Sequence, residues 1–165
     1  GIIMGVLAYQ CNEHKKILCY RIMNELCFAV QYALLGAYAG CSINLVVCIR
    51  NLLFQKAVEQ NKNTSLLILF FCVIFILTTY LTWPGPSGFI IIATKVISTL
   101  AFGNKNPKQL RILNLLSGVL WLLYNITIRS YTGVFCELLS IFSIVIAVIR
   151  FDRVSFHQKN IAKYE

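Results

Sequence analysis

The chain has 165 residues, of which 58% are hydrophobic and 13% charged, and its mean hydropathy is +0.73. A soluble domain carries about a quarter charged residues, so this composition excludes an ordinary water-soluble fold and leaves the lipid bilayer as the main partner. The formal charge of +9 is that of many nucleic-acid binders, but the cations stand between apolar runs, which suits membrane orientation and excludes a nucleic-acid partner.

Residues 1–9 are apolar, with no charged lead and no cleavage pattern. They read as the inner half of a first helix truncated at its N-terminus. A polar stretch with His14, Lys15 and Lys16 follows, and a second span runs over 21–35, interrupted by Asn24, Glu25 and Gln31. An uncharged turn at 36–40 leads to a third span, 41–57, which contains Arg50 and Asn51. A polar loop closes it. The fourth span, 65–83, carries no charge and ends at Pro84-Gly85-Pro86, where the missing amide donors stop a helix. A fifth span covers 88–102 with Lys95 near its middle. A sixth covers 110–128, a seventh 131–151, and a basic tail ends the chain. Helices satisfy their own backbone in lipid, so every span is expected to be helical.

Short signals recur across the two halves. Arg21-Ile22-Met23-Asn24 is answered by Arg111-Ile112-Leu113-Asn114, Ala37-Tyr38-Ala39-Gly40 by Ser130-Tyr131-Thr132-Gly133, and Ile49-Arg50 by Ile149-Arg150. The duplication predicts an all-α integral membrane fold with seven spans, the first truncated. Two parallel triple-helix bundles, 1–58 and 87–152, would be joined by a linker helix, 64–83, in a 3+1+3 layout, with 153–165 as a cytoplasmic tail. All Lys and Arg except Lys95 and Arg129 fall on alternate loops or their borders. The positive-inside rule then puts the C-terminus in the cytoplasm. Parallel repeats of this kind hold their sites at the repeat interface.

The run Leu120-Trp121-Leu122-Leu123-Tyr124-Asn125, the Ser130-Tyr131-Thr132-Gly133-x-x-x-Glu137 signature and Ile49-Arg50-Asn51-Leu52-Leu53-Phe54 resemble the YgjV family of bacterial inner-membrane proteins. The resemblance implies a bacterial inner-membrane location. The layout and the sixth span are also similar to the SWEET/PQ-loop superfamily, many of whose members move sugars or other small solutes. In SWEETs a polar residue on the last helix of each bundle faces the substrate. The Gly40/Gly133 match carries that role to Asn44 and Glu137. Glu137 departs from the SWEET asparagine, and no PQ dipeptide is present.

Charged side chains deep in a span cost roughly 2.5–3.5 kcal/mol each on insertion scales and usually face a cavity or a partner. Glu137 lies about 6 Å into the seventh helix at ~1.5 Å per residue. Ser140 and Ser143 continue its face. It reads as a pocket carboxylate for solute or proton, or as half of a structural pair. Lys95 either pairs with Glu137, holds an anionic ligand, or snorkels its stem to the membrane edge. Arg50, about 15 Å beyond Gly40, either reaches the inner head groups or points into the bundle, the border reading being the first expectation. Glu25 and Arg21 have the spacing of an ordinary helix pair. Asn114, Gly118, Trp121 and Asn125 share one helical face, as do Asn24 and Gln31. These faces line a solute path or bond helix to helix.

The candidate binding set is therefore Asn44, Glu137, Trp121, Asn125, Lys95, Asn114 and Gln31, with a small polar solute as ligand. No cofactor or metal is expected: the seven cysteines lack C-x-x-C spacing and read as free thiols, and the two histidines are far apart. No nucleophile–base pair or phosphate-binding glycine loop points to an enzyme. A small-solute transporter is the first expectation and a non-transporting receptor or assembly factor the second. No oligomeric state is specified.

Overall fold

The computed structural model describes residues 2–34, 38–81 and 86–153. Seven α-helices follow in order: α1 Ile2–Tyr9, α2 His14–Leu34, α3 Tyr38–Glu59, α4 Ser65–Leu81, α5 Gly88–Gly103, α6 Pro107–Thr127 and α7 Tyr131–Ala147. A π-helical turn, Val148–Arg153, ends the series. The turn expected at Gly36, the Pro84-Gly85 stop and the tail from Val154 lie outside the described residues.

Local chemistry sets the helix ends. Asn106 caps α6, its side chain accepting from the Lys108 amide at 3.0 Å, while Pro107 takes the first turn, where its missing amide is harmless. Asn63 receives both the amide and the hydroxyl of Ser65 at the start of α4. At the end of α3, Lys62 N bonds Ala57 O and Asn61 N bonds Val58 O, with Asn61 at φ 54°. At the end of α6, Ser130 N bonds Asn125 O and Arg129 N bonds Ile126 O, with Arg129 at φ 56°. Both are Schellman closures that put a left-handed residue where glycine is usual.

Each helix packs on its chain neighbour in the series α1–α2–α3 and α4–α5–α6–α7. Weaker α3–α5 and α3–α4 contacts join the two series, and α1 returns to pack on α7. That last contact is polar. Gln10 Nε2 donates to Ser143 O and Oγ at 2.8 and 3.0 Å, and Ser143 Oγ donates to Val6 O at 2.8 Å. An apolar core of Ile17, Phe54, Phe71, Phe75, Phe102 and Ile144 fills the middle, with Phe54 and Phe71 edge to face at 6.0 Å.

The polarity of the molecule is inverted. Leu34 and Leu66 are 84% and 80% exposed, whereas Arg50, Asn51 and Arg111 are 1%, 0% and 1% exposed. Water-soluble folds almost never fully bury arginine, and they rarely expose so broad an apolar surface.

The expected seven spans in a 3+1+3 layout are not what the structure holds. Seven helices form, but α1 has eight residues and is about 12 Å long. Among the described residues, two helices, Pro107–Thr127 and Tyr131–Phe151, are long and apolar enough to cross a bilayer, by length and composition. Helices α4 and α5 are apolar but shorter, at 17 and 16 residues. Helices α2 and α3 are long but diluted by Arg21, Asn24, Glu25 and Gln31, and by Arg50, Asn51, Gln55 and Lys56. Nor do two separate triplets form. A triple-helix bundle needs its first and third helices in contact, and neither α1–α3 nor α5–α7 is a packed pair, whereas α1 packs on α7.

The basic loops meet at one end of the bundle. Lys15 pairs with Glu59 at 3.0 Å, Thr64 Oγ1 donates to Gly103 O at 2.9 Å, and Arg111 Nη1 donates to Cys11 O at 3.3 Å. His14 Nε2 lies 3.1 Å from Phe102 O at this end.

Two predictions follow from these termini. Arginine in the left-handed region carries a penalty of roughly 1–2 kcal/mol that glycine escapes, so Arg129→Gly is expected to raise the melting temperature in detergent. Burial pushes His14 below the ordinary imidazole value of 6.5, against the raising effect of the Phe102 and Asn104 carbonyls. The fold thus holds the neutral ring, and the unfolded chain takes up the proton first. That contribution is complete above 6.5 and is lost as pH falls below it. Melts at about pH 7.5 and about pH 5.5 should differ, with the acid one lower, and His14→Gln should shrink the difference.

Candidate functional site

The interior between α2, α3, α5 and α7 gathers ionisable side chains. On α2, Arg21 and Glu25 stand one turn apart and pair, Nη2 to Oε1, at 2.8 Å, with both side chains mostly buried. On α3, Arg50 and Asn51 are adjacent inside an apolar run, and the fold encloses both. Arg50 Nε and Nη2 donate to Asn51 Oδ1 at 3.2 and 3.0 Å, and Nη1 donates to Ser98 Oγ and Thr99 Oγ1 of α5, each at 3.2 Å. All three acceptors are neutral oxygens. Among the described residues no carboxylate lies within ion-pair distance of Arg50.

The two bonds from Arg50 also fix the Asn51 amide. Its oxygen must face the guanidinium, because the reversed amide would set donor against donor. Asn51 Nδ2 is left buried without an acceptor, and so is Arg21 Nε. A buried polar group without a partner costs about 1–3 kcal/mol.

Lys95 rises from α5 between two rings. Its Nζ is 5.7 Å from the centre of Phe75 and 5.4 Å from that of Trp121, within cation–π range. Arg50 Cζ lies 5.6 Å from the same Phe75 ring and 5.1 Å from Phe102, and Arg21 Cζ lies 5.6 Å from Phe102. Shared rings therefore chain the three cations together. Glu137 of α7 lies within the electrostatic reach of Arg21, Lys95 and Glu25, but no ion pair ties it to a described residue. Gly118 of α6 leaves room beside it: a Cβ there would stand 3.7 Å from Glu137 Oε2 and 3.3 Å from Ile141.

The structure sorts the expected site residues. Lys95, Trp121 and Glu137 meet this interior. Asn114 and Asn125 are buried, but each amide nitrogen bonds its own helix, at Leu110 O and Trp121 O, both 2.9 Å. Asn125 also packs where a side chain at Gly133 would stand. Asn44 is half-buried on α3, and Gln31 is exposed. Arg50, expected at the membrane border, is instead enclosed, because Ser98 and Thr99 of α5 draw its guanidinium inward. Asn51 was not among the expected residues. Its signal was the Arg-Asn tandem inside an apolar run, which single-residue insertion costs do not distinguish from an edge.

All seven cysteines are free thiols. Among the described residues no three His, Cys, Asp or Glu side chains are grouped to hold a metal ion.

A family model described as a bacterial inner membrane protein, Imp-YgjV, matches residues 1–155. No curated protein and no solved structure matches the chain. The family match covers nearly the whole sequence, and the protein belongs to this family of bacterial inner-membrane proteins.

The interior pair and the surface pairs should respond differently to loss of their acid. Glu25→Ala leaves Arg21 buried and uncompensated, which costs about 3–5 kcal/mol for a buried pair; unfolding in detergent should show a large loss. Glu13→Ala removes the exposed partner of Lys16 and should leave the melt unchanged.

Proposed function

We propose that this YgjV-family protein binds a small polar solute in its charged interior and carries it across the bacterial inner membrane. The observation that carries the reading is the convergence of the half-buried Arg21, Lys95 and Glu137 on the buried Glu25 and Arg50, in a bundle whose outside is apolar. The Arg21–Glu25 pair lies within α2 and accounts for two of these charges. Taking Arg50 out of water without a contacting carboxylate costs several kcal/mol, a burden that structural packing alone does not require. Ionisable groups kept in such a setting mark solute paths and proton relays.

The orientation follows from charge. Lys105, Lys108 and Arg111 lie at or before the first two turns of α6, Arg150 and Arg153 follow α7, and Arg129 alone lies between the two helices. By the positive-inside rule both outer ends of the α6–α7 hairpin, and with them the C-terminus, face the cytoplasm. A fluorescent C-terminal fusion should glow in intact cells, and an alkaline phosphatase fusion at the same point should be inactive.

Transport is tested with purified protein in liposomes and a panel of labelled sugars, amino acids and organic acids. At least one solute should accumulate above empty vesicles. Glu137→Gln should slow its uptake by about tenfold or more, the effect of ~1.4 kcal/mol on a rate. No accumulation of any solute would count against the reading.

A further inference from the structure

We infer that the interior site takes an anion, a small carboxylate or oxyanion solute held between Arg21, Arg50 and Lys95. The inference rests on the reading of that interior as a solute site and adds the class of solute. Three observations carry it.

The first is the charge balance. Three cations face two carboxylates, and Glu25 is already bonded to Arg21. With Glu137 ionised the cluster still holds one positive charge in excess. Arg50 and Lys95 have no contacting carboxylate among the described residues. Like charges gathered away from water repel one another strongly, and an anion between them removes that repulsion.

The second is the sign of the unmet hydrogen bonds. Among the described residues the two buried side-chain polar atoms without partners, Arg21 Nε and Asn51 Nδ2, are both donors. Asn51 is fully buried and its amide is locked by Arg50. What these two side chains lack is therefore an acceptor. A cationic or purely donating ligand would leave both atoms unmet, whereas an oxyanion offers several lone pairs in a small volume.

The third is placement. Arg21 and Arg50 both lie within cation–π range of Phe102, and Arg50 and Lys95 of Phe75, so cations from three helices share rings rather than acids. Aromatic neighbours temper the positive charge without neutralising it, which leaves the cations available to a ligand.

The test uses the full-length protein in a nonionic detergent at constant ionic strength. Thermal melts and calorimetry are run with sodium phosphate, sodium sulfate, sodium acetate and sodium succinate, against glucose and choline as neutral and cationic probes. At least one anion should bind saturably and raise the melting temperature. Lys95→Met should weaken that anion about tenfold or more and raise the melting temperature of the ligand-free protein, because one of three like charges is gone. Loss of a purely structural lysine would not move the two readouts in opposite directions. Glu137→Gln should tighten anion binding, since it removes a competing negative charge, and it decides the matter if Lys95→Met does not fold. Lys108→Met, at the exposed start of α6, should change nothing.

Saturable binding of glucose with no response to any anion would overturn the anion assignment and leave the solute-site reading standing. No binding by any probe would overturn both. Stabilisation by phosphatidylglycerol micelles but by none of the soluble anions would assign the cluster to a lipid head group and overturn the solute anion. Weaker anion binding in Glu137→Gln would likewise overturn it.

Discussion

A guanidinium that cannot reach water governs the interior of this protein. Arg50 is enclosed by α3 and α5, and every oxygen it contacts is neutral. Its charge must be met by groups farther off or by something that enters. That constraint orders its neighbours. Asn51 turns its oxygen to the guanidinium and leaves its amide nitrogen unmet, Ser98 and Thr99 place their hydroxyls inward, and Phe75 and Phe102 stand beside the cation.

Around this centre the scaffold is apolar on both sides of its shell. The aromatic core packs inside, and leucine, isoleucine and phenylalanine side chains cover the exterior. In water such a surface would associate without specificity, whereas membership in an inner-membrane family supplies a solvent that suits it. The return of α1 onto α7 through Gln10, Ser143 and Val6 joins the two ends of the series. It is also why Ser143, which reads in sequence as the continuation of a solute-facing stripe from Glu137, is occupied with fastening one helix to another.

How much of this was legible in the sequence differs by residue. The Arg21–Glu25 pair was readable, because a four-residue spacing on a helix brings the two side chains together whatever else the chain does. The helices were readable from apolar runs and their stops, with α6 opening close to the expected residue at Pro107. The count of spanning helices was not. Apolar runs interrupted by Arg, Asn and Glu count as spans when each charge is treated as an isolated cost. In the folded chain those charges lie together in the interior, and two helices, α6 and α7 extended to Phe151, meet the length and composition of a membrane span. The matching of short motifs between the halves implied two triplets, but motif similarity carries no information on which helices touch.

The amino-acid sequence by itself determined an α-helical, lipid-compatible protein with its basic segments clustered, because hydropathy, helix stops and local spacing are properties of neighbours along the chain. Only the tertiary structure decided that Arg50 and Asn51 face inward, that Lys95 lies between Phe75 and Trp121, and that Asn114 and Asn125 bond their own helices. Those outcomes depend on contacts between residues tens of positions apart, such as Arg50 with Thr99 or Gln10 with Ser143. The direction a polar side chain takes on a helix is set by which partner the packing brings within reach, and that partner is not encoded in the spacing around it.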